Sequence, residues 1–265
     1  MGEKKIKRAD GTEVTAKTAK AAGNATGYRV GAIAAWVFAI AFEVLAVLAL
    51  FGVIGITFMS TLTFIIVLLA LDLVCVIIGS LLWKKANHIK PASKKNKVKF
   101  WLWNNLGLIV CAFAFIPFVV LALTNKEADK KTKTVAAVVA VVALLIGSLF
   151  GIEWNPVSEE EKDSQIAAID EADIEDVYWT QFGKVYHTST ECGHLNHSDN
   201  LTVGSVEQAI AAGKTRLCKS CQTRDNIVIE ENADSEKGGI DLPVESGEST
   251  DADLPVDTGD EDKAA

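Results

Sequence analysis

Three cysteines in the C-terminal half of the chain have the spacing of a metal site. Cys218 and Cys221 form a Cys-x-x-Cys pair, which lets two thiolates reach one metal ion from a tight turn. Cys192 supplies a third thiolate, and one histidine would complete a tetrahedral Cys3His site. The residue types and spacing predict a structural Zn²⁺ site.

Three histidines could provide the fourth ligand. We rank His187 first, because it ends a predicted strand five residues before Cys192. His197 comes second and His194 last. The alternative to a metal is a disulfide or three reduced thiols, which would leave a short segment with almost no core. Because chains this small usually need a metal or a bridge, we favour the metal.

A small α+β domain over residues 177–224 must position these ligands. Alternating apolar residues on either side of Gly183 predict a β-hairpin. Ser205 and Gln208 form a capping box that predicts a helix over 206–212, and Gly213 ends that helix. The Cys-x-x-Cys pair follows directly.

These motifs resemble a small bacterial zinc module. The resemblance rests on Val185-Tyr-His187, Cys192-Gly-His-Leu-Asn, Glu207-Gln-Ala-Ile-Ala-Ala-Gly213 and Leu217-Cys-Lys-Ser-Cys221. More distantly, the segment is similar to the metal-binding domain of the Ada DNA-repair methyltransferase. The match covers about a sixth of the chain, and Leu217 stands where proline is usual. The resemblance implies a zinc-binding domain found at the ends of bacterial nucleases and membrane proteins.

The chemistry of the predicted site argues against an enzyme. Four protein ligands leave no open position for water on zinc, and no other catalytic motif appears. Residues 177–230 contain five basic and five acidic residues between acidic flanks, so we expect no nucleic acid as a partner.

Four apolar runs precede the predicted domain, each long enough to cross a bilayer. Residues 30–83 contain no Lys or Arg, and we divide them into helices over 30–55 and 60–83 with a turn between them. The third and fourth predicted helices cover 100–123 and 135–152. The expected fold is an all-α transmembrane four-helix bundle joined to the small zinc domain, with the lipid bilayer as a partner.

The distribution of charge predicts the orientation of the bundle. Residues 1–133 carry a balance of +11 and residues 134–265 a balance of −19, which together give the −8 of the whole chain. Seven Lys/Arg lie in the N-terminal tail, 1–29, and seven more between the second and third helices. Four lysines lie in the loop 125–133. The positive-inside rule therefore places both termini of a multi-pass cell-membrane protein in the cytoplasm.

Two acids, Glu43 and Asp72, lie at similar depth in the first two predicted helices. They could form an ion or proton site, because buried intramembrane acids often face a cavity or a partner. They could instead be two protonated carboxyls that join a helix pair, which is the interpretation that we favour. In the fourth helix, small residues at four-residue spacing predict close packing within the bundle or a homo-oligomer.

Two acidic segments complete the chain. Residues 153–176 are predicted to form an acidic linker, with a helical part around 164–172, that acts as a solvated spacer. Residues 225–265 are predicted to form a disordered acidic tail, in which the motif Asp-Leu-Pro-Val occurs twice. The sequence as a whole predicts a membrane-bound binding or scaffold protein with a protein partner. The alternative is a small transporter or channel subunit that uses Glu43 and Asp72.

Overall fold

A computed structural model describes residues 3–7, 13–18, 23–55, 57–198 and 200–229. The predicted disordered tail, beyond its first five residues, lies outside this part of the chain. In chain order the helices are α1 (Ala25–Leu50), α2 (Thr61–Ile89), α3 (Lys97–Asn104), α4 (Leu106–Thr124), α5 (Lys130–Gly151), α6 (Glu159–Glu171), α7 (Val206–Ala211) and α8 (Lys219–Arg224). The strands are β1 (Glu3–Lys7), β2 (Glu13–Thr18), β3 (Val177–Thr180), β4 (Val185–Tyr186), β5 (Asn200–Gly204) and β6 (Arg216–Leu217).

Four of the helices, α1, α2, α4 and α5, are long and apolar enough to cross a membrane. They have 26, 29, 19 and 22 residues, close to the ~20 that a bilayer requires. Polar residues set three of their starts, since the side chains of Asn24, Ser60 and Asp129 each cap a helix N-terminus. The prediction of four long apolar helices is confirmed.

The lysine-rich connection between the second and third of these helices is more ordered than the sequence suggested. Residues 100–104, which the sequence placed in the third span, belong instead to the separate short helix α3, and α4 begins at Leu106. The break falls at Asn104 and Asn105, whose side-chain amides donate to the carbonyls of Phe100 and Trp101. Asparagine competes for backbone carbonyls in this way, which favours a helix end.

Small residues line the face of α5 that lies inside the bundle. The buried positions of this helix are Ala136, Ala137, Ala140, Ala143, Gly147 and Gly151. A Cβ atom on Gly151 would lie 2.6 Å from the backbone nitrogen of Leu108, so α4 and α5 approach closely there. The predicted close packing is therefore used within one chain. A homo-oligomer through α5 stays a prediction and would have to use another face of the helix.

The C-terminal domain is built around two small sheets. The first has the order β1-β2-β5-β3, in which β2 and β5 are parallel and the other pairs antiparallel. The second pairs β4 with β6 in parallel. The predicted capping box of α7 is present, and Gly213 has a φ of 83°, which ends the helix as predicted. The N-terminal strands β1 and β2 were not predicted.

The acidic segment before this domain is not a solvated spacer, so that prediction is wrong. Ser158 and Glu161 form a capping box that starts α6. One face of α6, with Ala168 and Ile169, is buried in the core of the C-terminal domain. Gln165 is also buried there. Its side-chain amide is satisfied, because it accepts from the Tyr186 hydroxyl at 2.8 Å and donates to the Thr215 carbonyl at 3.1 Å.

The other side of α6 contacts the lysine-rich end of the bundle. Lys94 donates from its backbone N–H to Glu160 at 2.9 Å, and its ammonium group lies 3.0 Å from Glu161. Lys162 donates to the Ile89 carbonyl at 3.1 Å. Lysines of the basic N-terminal half and acids of the acidic C-terminal half therefore partly neutralise each other at this contact. The contact also places the C-terminal domain against the end of α2.

Candidate metal centre

His187 and Cys218 meet because the two strands that precede them are paired. Tyr186 ends β4 and Leu217 ends β6, and these two residues are partners in the parallel ladder. His187 and Cys218, which directly follow these strands, therefore lie at the same end of the two-stranded sheet. The backbone N–H of Cys218 donates to the Tyr186 carbonyl at 2.9 Å, which fixes this register up to the site.

Cys192 and Cys221 reach the same point from two short turns. Cys192 precedes the single 3₁₀ turn Gly193–Leu195, and the N–H of Leu195 donates to its carbonyl at 2.8 Å. Cys221 lies in the first turn of α8, which begins directly after Cys218. The Cys-x-x-Cys motif therefore covers the turn between the end of β6 and the start of α8. This tight turn lets both thiolates reach one metal ion.

The four side chains form one compact, buried cluster. Their ligand atoms all lie within 4.8 Å of one another. The Cys192 and Cys218 sulfurs are 3.9 Å apart, and the His187 Nδ1 is 3.8 Å from the Cys221 sulfur. Two thiolates at a Zn–S distance of about 2.3 Å in a tetrahedral site lie about 3.8 Å apart, so the cluster fits such an ion. All five cysteines of the chain are free, so no disulfide replaces a metal.

The electrostatics of the cluster suit a cation. Burial, together with a smaller electrostatic effect of His194, lowers the pKa of the His187 imidazole to about 4, so the ring is neutral at pH 7. Burial raises the pKa of the Cys192 thiol to about 11. Burial would also raise the pKa of Cys218, but N–H groups of Cys221 and Ser220 that donate to its sulfur bring it below the ordinary value. A bound cation would favour all three thiolates together.

The two other candidate histidines lie outside the cluster. His194 and His197 are both exposed. The Nε2 atom of His194 is hydrogen-bonded to the Ser220 hydroxyl at 3.1 Å, and its ring centroid is 6.5 Å from that of His187. Among the three histidines considered from the sequence, the structure brings only His187 together with the cysteines.

Two polar groups that the sequence did not single out support the site. Arg224 donates to Thr188 at 2.9 Å and to Asp225 at 2.8 Å, and Thr188 is also hydrogen-bonded to Asp225. This network ties the residue after His187 to the end of α8. Lys214 is buried and donates to the carbonyls of Gln181 and Gly183, which closes the hairpin turn before β4. In the sequence, this contact is indicated only by the presence of a lysine directly after the helix-ending Gly213.

The two intramembrane acids lie at a separate place in the bundle. Glu43 and Asp72 are both buried, and Asp72 is completely so. Glu43 is close enough to Asp72 to interact with it electrostatically. Neither carboxylate oxygen of Asp72 has a hydrogen-bond partner among the residues that the structure describes.

Comparison with protein-family models, with curated proteins and with solved structures finds no match to this chain. The class of protein is therefore inferred only from the fold and from the candidate metal site. Four long apolar helices indicate a membrane protein, and its C-terminal domain carries a buried Cys3His cluster that could hold a metal ion.

Proposed function

We propose that this chain is a membrane-bound binding or scaffold protein whose C-terminal domain is held together by one structural Zn²⁺ ion. The observation that carries the proposal is the buried cluster of His187, Cys192, Cys218 and Cys221. The resemblance to the small bacterial zinc module, distantly similar to the Ada domain, supports the same ligand set.

Zinc is the metal that this donor set favours. Three thiolates and one imidazole form one of the common structural zinc sites, whereas Mg²⁺ and Ca²⁺ prefer oxygen ligands. Iron–sulfur clusters use thiolates as well, but their usual set is four cysteines. A closed set of four protein ligands leaves no position for a water nucleophile, so we propose a structural role and not an enzymatic one.

The orientation that we propose places the zinc domain at the cytoplasmic face of a bacterial membrane. Arg29 and the lysine-rich segment 84–99 lie at the end of the bundle that contacts the domain, as shown by the bonds of Arg29 to Lys90 and of Lys85 to Ala211. The excess of Lys and Arg at this end favours the cytoplasmic side.

Zinc analysis of the full chain, purified in detergent, tests the metal site. We expect one zinc ion per chain, and we expect Cys221→Ser to abolish it, because a hydroxyl is a poor replacement for a thiolate ligand. Cys75→Ser is the matched control, since Cys75 lies in α2 and should leave the zinc content unchanged. A chain that contains no metal, yet resists proteolysis in residues 157–229 as well as a zinc-loaded chain, would contradict the proposal.

Photo-crosslinking tests the scaffold role. Phe182 is 90% exposed at the tip of the hairpin turn, where a partner of the zinc domain could contact it. We expect a photo-crosslinking residue in place of Phe182 to give a discrete protein adduct that Cys221→Ser abolishes. The same residue in place of Phe58, which is 77% exposed in the loop at the other end of the bundle, is the control. An equal pattern of adducts at both positions would argue against a partner of the zinc domain.

A second function is supported by the state of Asp72. The Asp72 carboxyl is fully buried and has no hydrogen-bond partner within the described part of the chain. Such a group is costly in a membrane, and such acids often serve ion or proton transport. Transport predicts an ion flux in proteoliposomes that Asp72→Asn and Glu43→Gln both remove. Flux that neither substitution changes, or no flux at all, would leave the scaffold as the function and the two acids as a structural pair.

A further inference from the structure

A basic cavity lies beside the lysine-rich end of the bundle. Its volume is about 450 Å³, and Arg29, Lys90, Lys95 and Lys99 contribute to its lining. Among the residues that the structure describes, Glu159 is the one acidic side chain in the lining. The neighbouring acids Glu160 and Glu161 are instead engaged by Ser93 and Lys94. Four positive charges against one negative charge make the cavity suitable for an anion.

Arg29 is held in place in this cavity before any ligand arrives. One of its terminal nitrogens donates to the Lys90 carbonyl at 3.0 Å. Its guanidinium lies 5.3 Å from the ring centroid of Trp103 and 5.8 Å from that of Trp83, within the range of cation–π contacts. Its Nε is buried without a hydrogen-bond partner among the described residues. A positioned guanidinium with unused donors is the group that recognises phosphate oxygens in proteins.

An apolar groove continues directly from the basic cavity. This groove has a volume of about 430 Å³ and is lined by Val98, Leu102 and Leu106, together with Lys99 and Trp103, which also line the basic cavity. Val98 and Leu102 are exposed, as expected for a helix whose apolar side faces lipid. The surface therefore changes from cationic to apolar across the width of one short helix, α3.

The position of α3 suits the boundary between lipid headgroups and hydrocarbon. This helix lies between the end of α2 and the start of α4, and it carries Trp101 and Trp103, a residue type enriched at membrane interfaces. Basic pockets between transmembrane helices bind the head groups of anionic lipids, and apolar surface beside them accommodates the acyl chains.

We propose that these two adjoining spaces form a binding site for an anionic glycerophospholipid. The phosphate lies in the basic cavity with Arg29, Lys95 and Lys99, and an acyl chain lies along Val98 and Leu102 in the groove. This site is separate from the metal cluster, and it requires neither bound zinc nor the proposed scaffold role.

Lipid titration of the full chain in detergent tests the cationic half of the site. The probes are phosphatidylglycerol and zwitterionic phosphatidylcholine, with binding counted by native mass spectrometry. We expect preferential binding of phosphatidylglycerol, and Lys99→Gln should weaken it about five-fold, as one basic residue near a membrane surface contributes about that factor. Lys131→Gln removes the same charge at the opposite end of the bundle and should have no effect. Equal losses in both variants, or no preference between the lipids, would overturn the proposal.

A soluble probe distinguishes a lipid from a free phosphate compound. Leu102→Gln should weaken phosphatidylglycerol binding but leave any binding of glycerol phosphate unchanged, because glycerol phosphate has no acyl chain for the groove. Leu123→Gln, an exposed position at the far end of α4, is the control. If glycerol phosphate bound as tightly as the lipid and Leu102→Gln had no effect, the cavity would be a site for a soluble phosphate and the lipid assignment would be wrong. Unchanged zinc content and elution volume would show that each variant is folded.

Discussion

Replacement of Gln165 by alanine tests whether α6 is part of the metal domain. Gln165 is buried, and its amide bridges the Tyr186 hydroxyl at 2.8 Å and the Thr215 carbonyl at 3.1 Å. Tyr186 is fully buried and directly precedes the ligand His187. The Gln165→Ala change therefore removes two hydrogen bonds and leaves the buried hydroxyl of Tyr186, the residue before His187, without this partner.

The expected cost follows from these contacts. Each hydrogen bond contributes about 0.5–1.5 kcal/mol, and an unpaired buried hydroxyl costs about 1–3 kcal/mol. Because the two contributions overlap, we expect a loss of about 2 kcal/mol in the folding free energy of the domain. In a small zinc domain the folding free energy is largely metal-binding free energy. The apparent zinc affinity should then fall about 30-fold.

Competition with a chromophoric chelator, on the full chain in detergent at fixed pH, measures this affinity. Gln181→Ala is the matched control, because the Gln181 side chain is exposed in the hairpin turn and only its carbonyl is used. Its zinc affinity should equal that of the unmodified chain. If Gln165→Ala also bound zinc with unchanged affinity, the coupling of α6 to the metal site through Gln165 would be wrong.

Three further predictions concern packing, topology and surface charge. Gly151→Val should destabilise the α4–α5 contact by about 1–3 kcal/mol, since its side chain would meet backbone, and should lower the thermal midpoint in detergent. Gly27→Ala, in open space, is the control and should not lower it. A thiol reagent that cannot cross membranes should fail to label Cys218 in intact, chelator-treated cells; labelling would place the domain outside. A double-mutant cycle on Lys94 and Glu161, both partly exposed, should give less than about 1 kcal/mol of coupling, and more would contradict a simple surface pair.

The parts of the fold that could be predicted have signals that lie close together in sequence. A long apolar run is sufficient to predict a membrane-spanning helix, because length and hydropathy decide whether a segment can cross a bilayer. The capping box of Ser205 and Gln208 similarly identifies α7 from four residues. The break at Asn105 was missed because apolar residues continue on both sides of it, so the hydropathy of the run hides the start of α4.

The parts that were missed depend on contacts between distant segments. The start of α6 has a local signal, the capping box of Ser158 and Glu161, but the dense acidic residues of this segment favoured a solvated interpretation. Its buried face was not predictable from charge, because the Gln165 amide and the small Ala168 do not form a strong apolar stripe. The pairing of β2 with β5 could not be predicted at all, since paired residues such as Thr15 and Asn200 are 185 positions apart.

The pairing of β2 with β5 restricts how the chain can lie in a membrane. β2 precedes α1 and β5 follows α5, so every long apolar helix lies between two strands of one sheet. Parallel strands with their backbones about 4.8 Å apart must lie on the same side of a bilayer, which requires an even number of crossings between them. Four crossings satisfy this condition, and three or five do not. The sheet therefore constrains the topology independently of the lysines, which decide only the side of the membrane on which it forms.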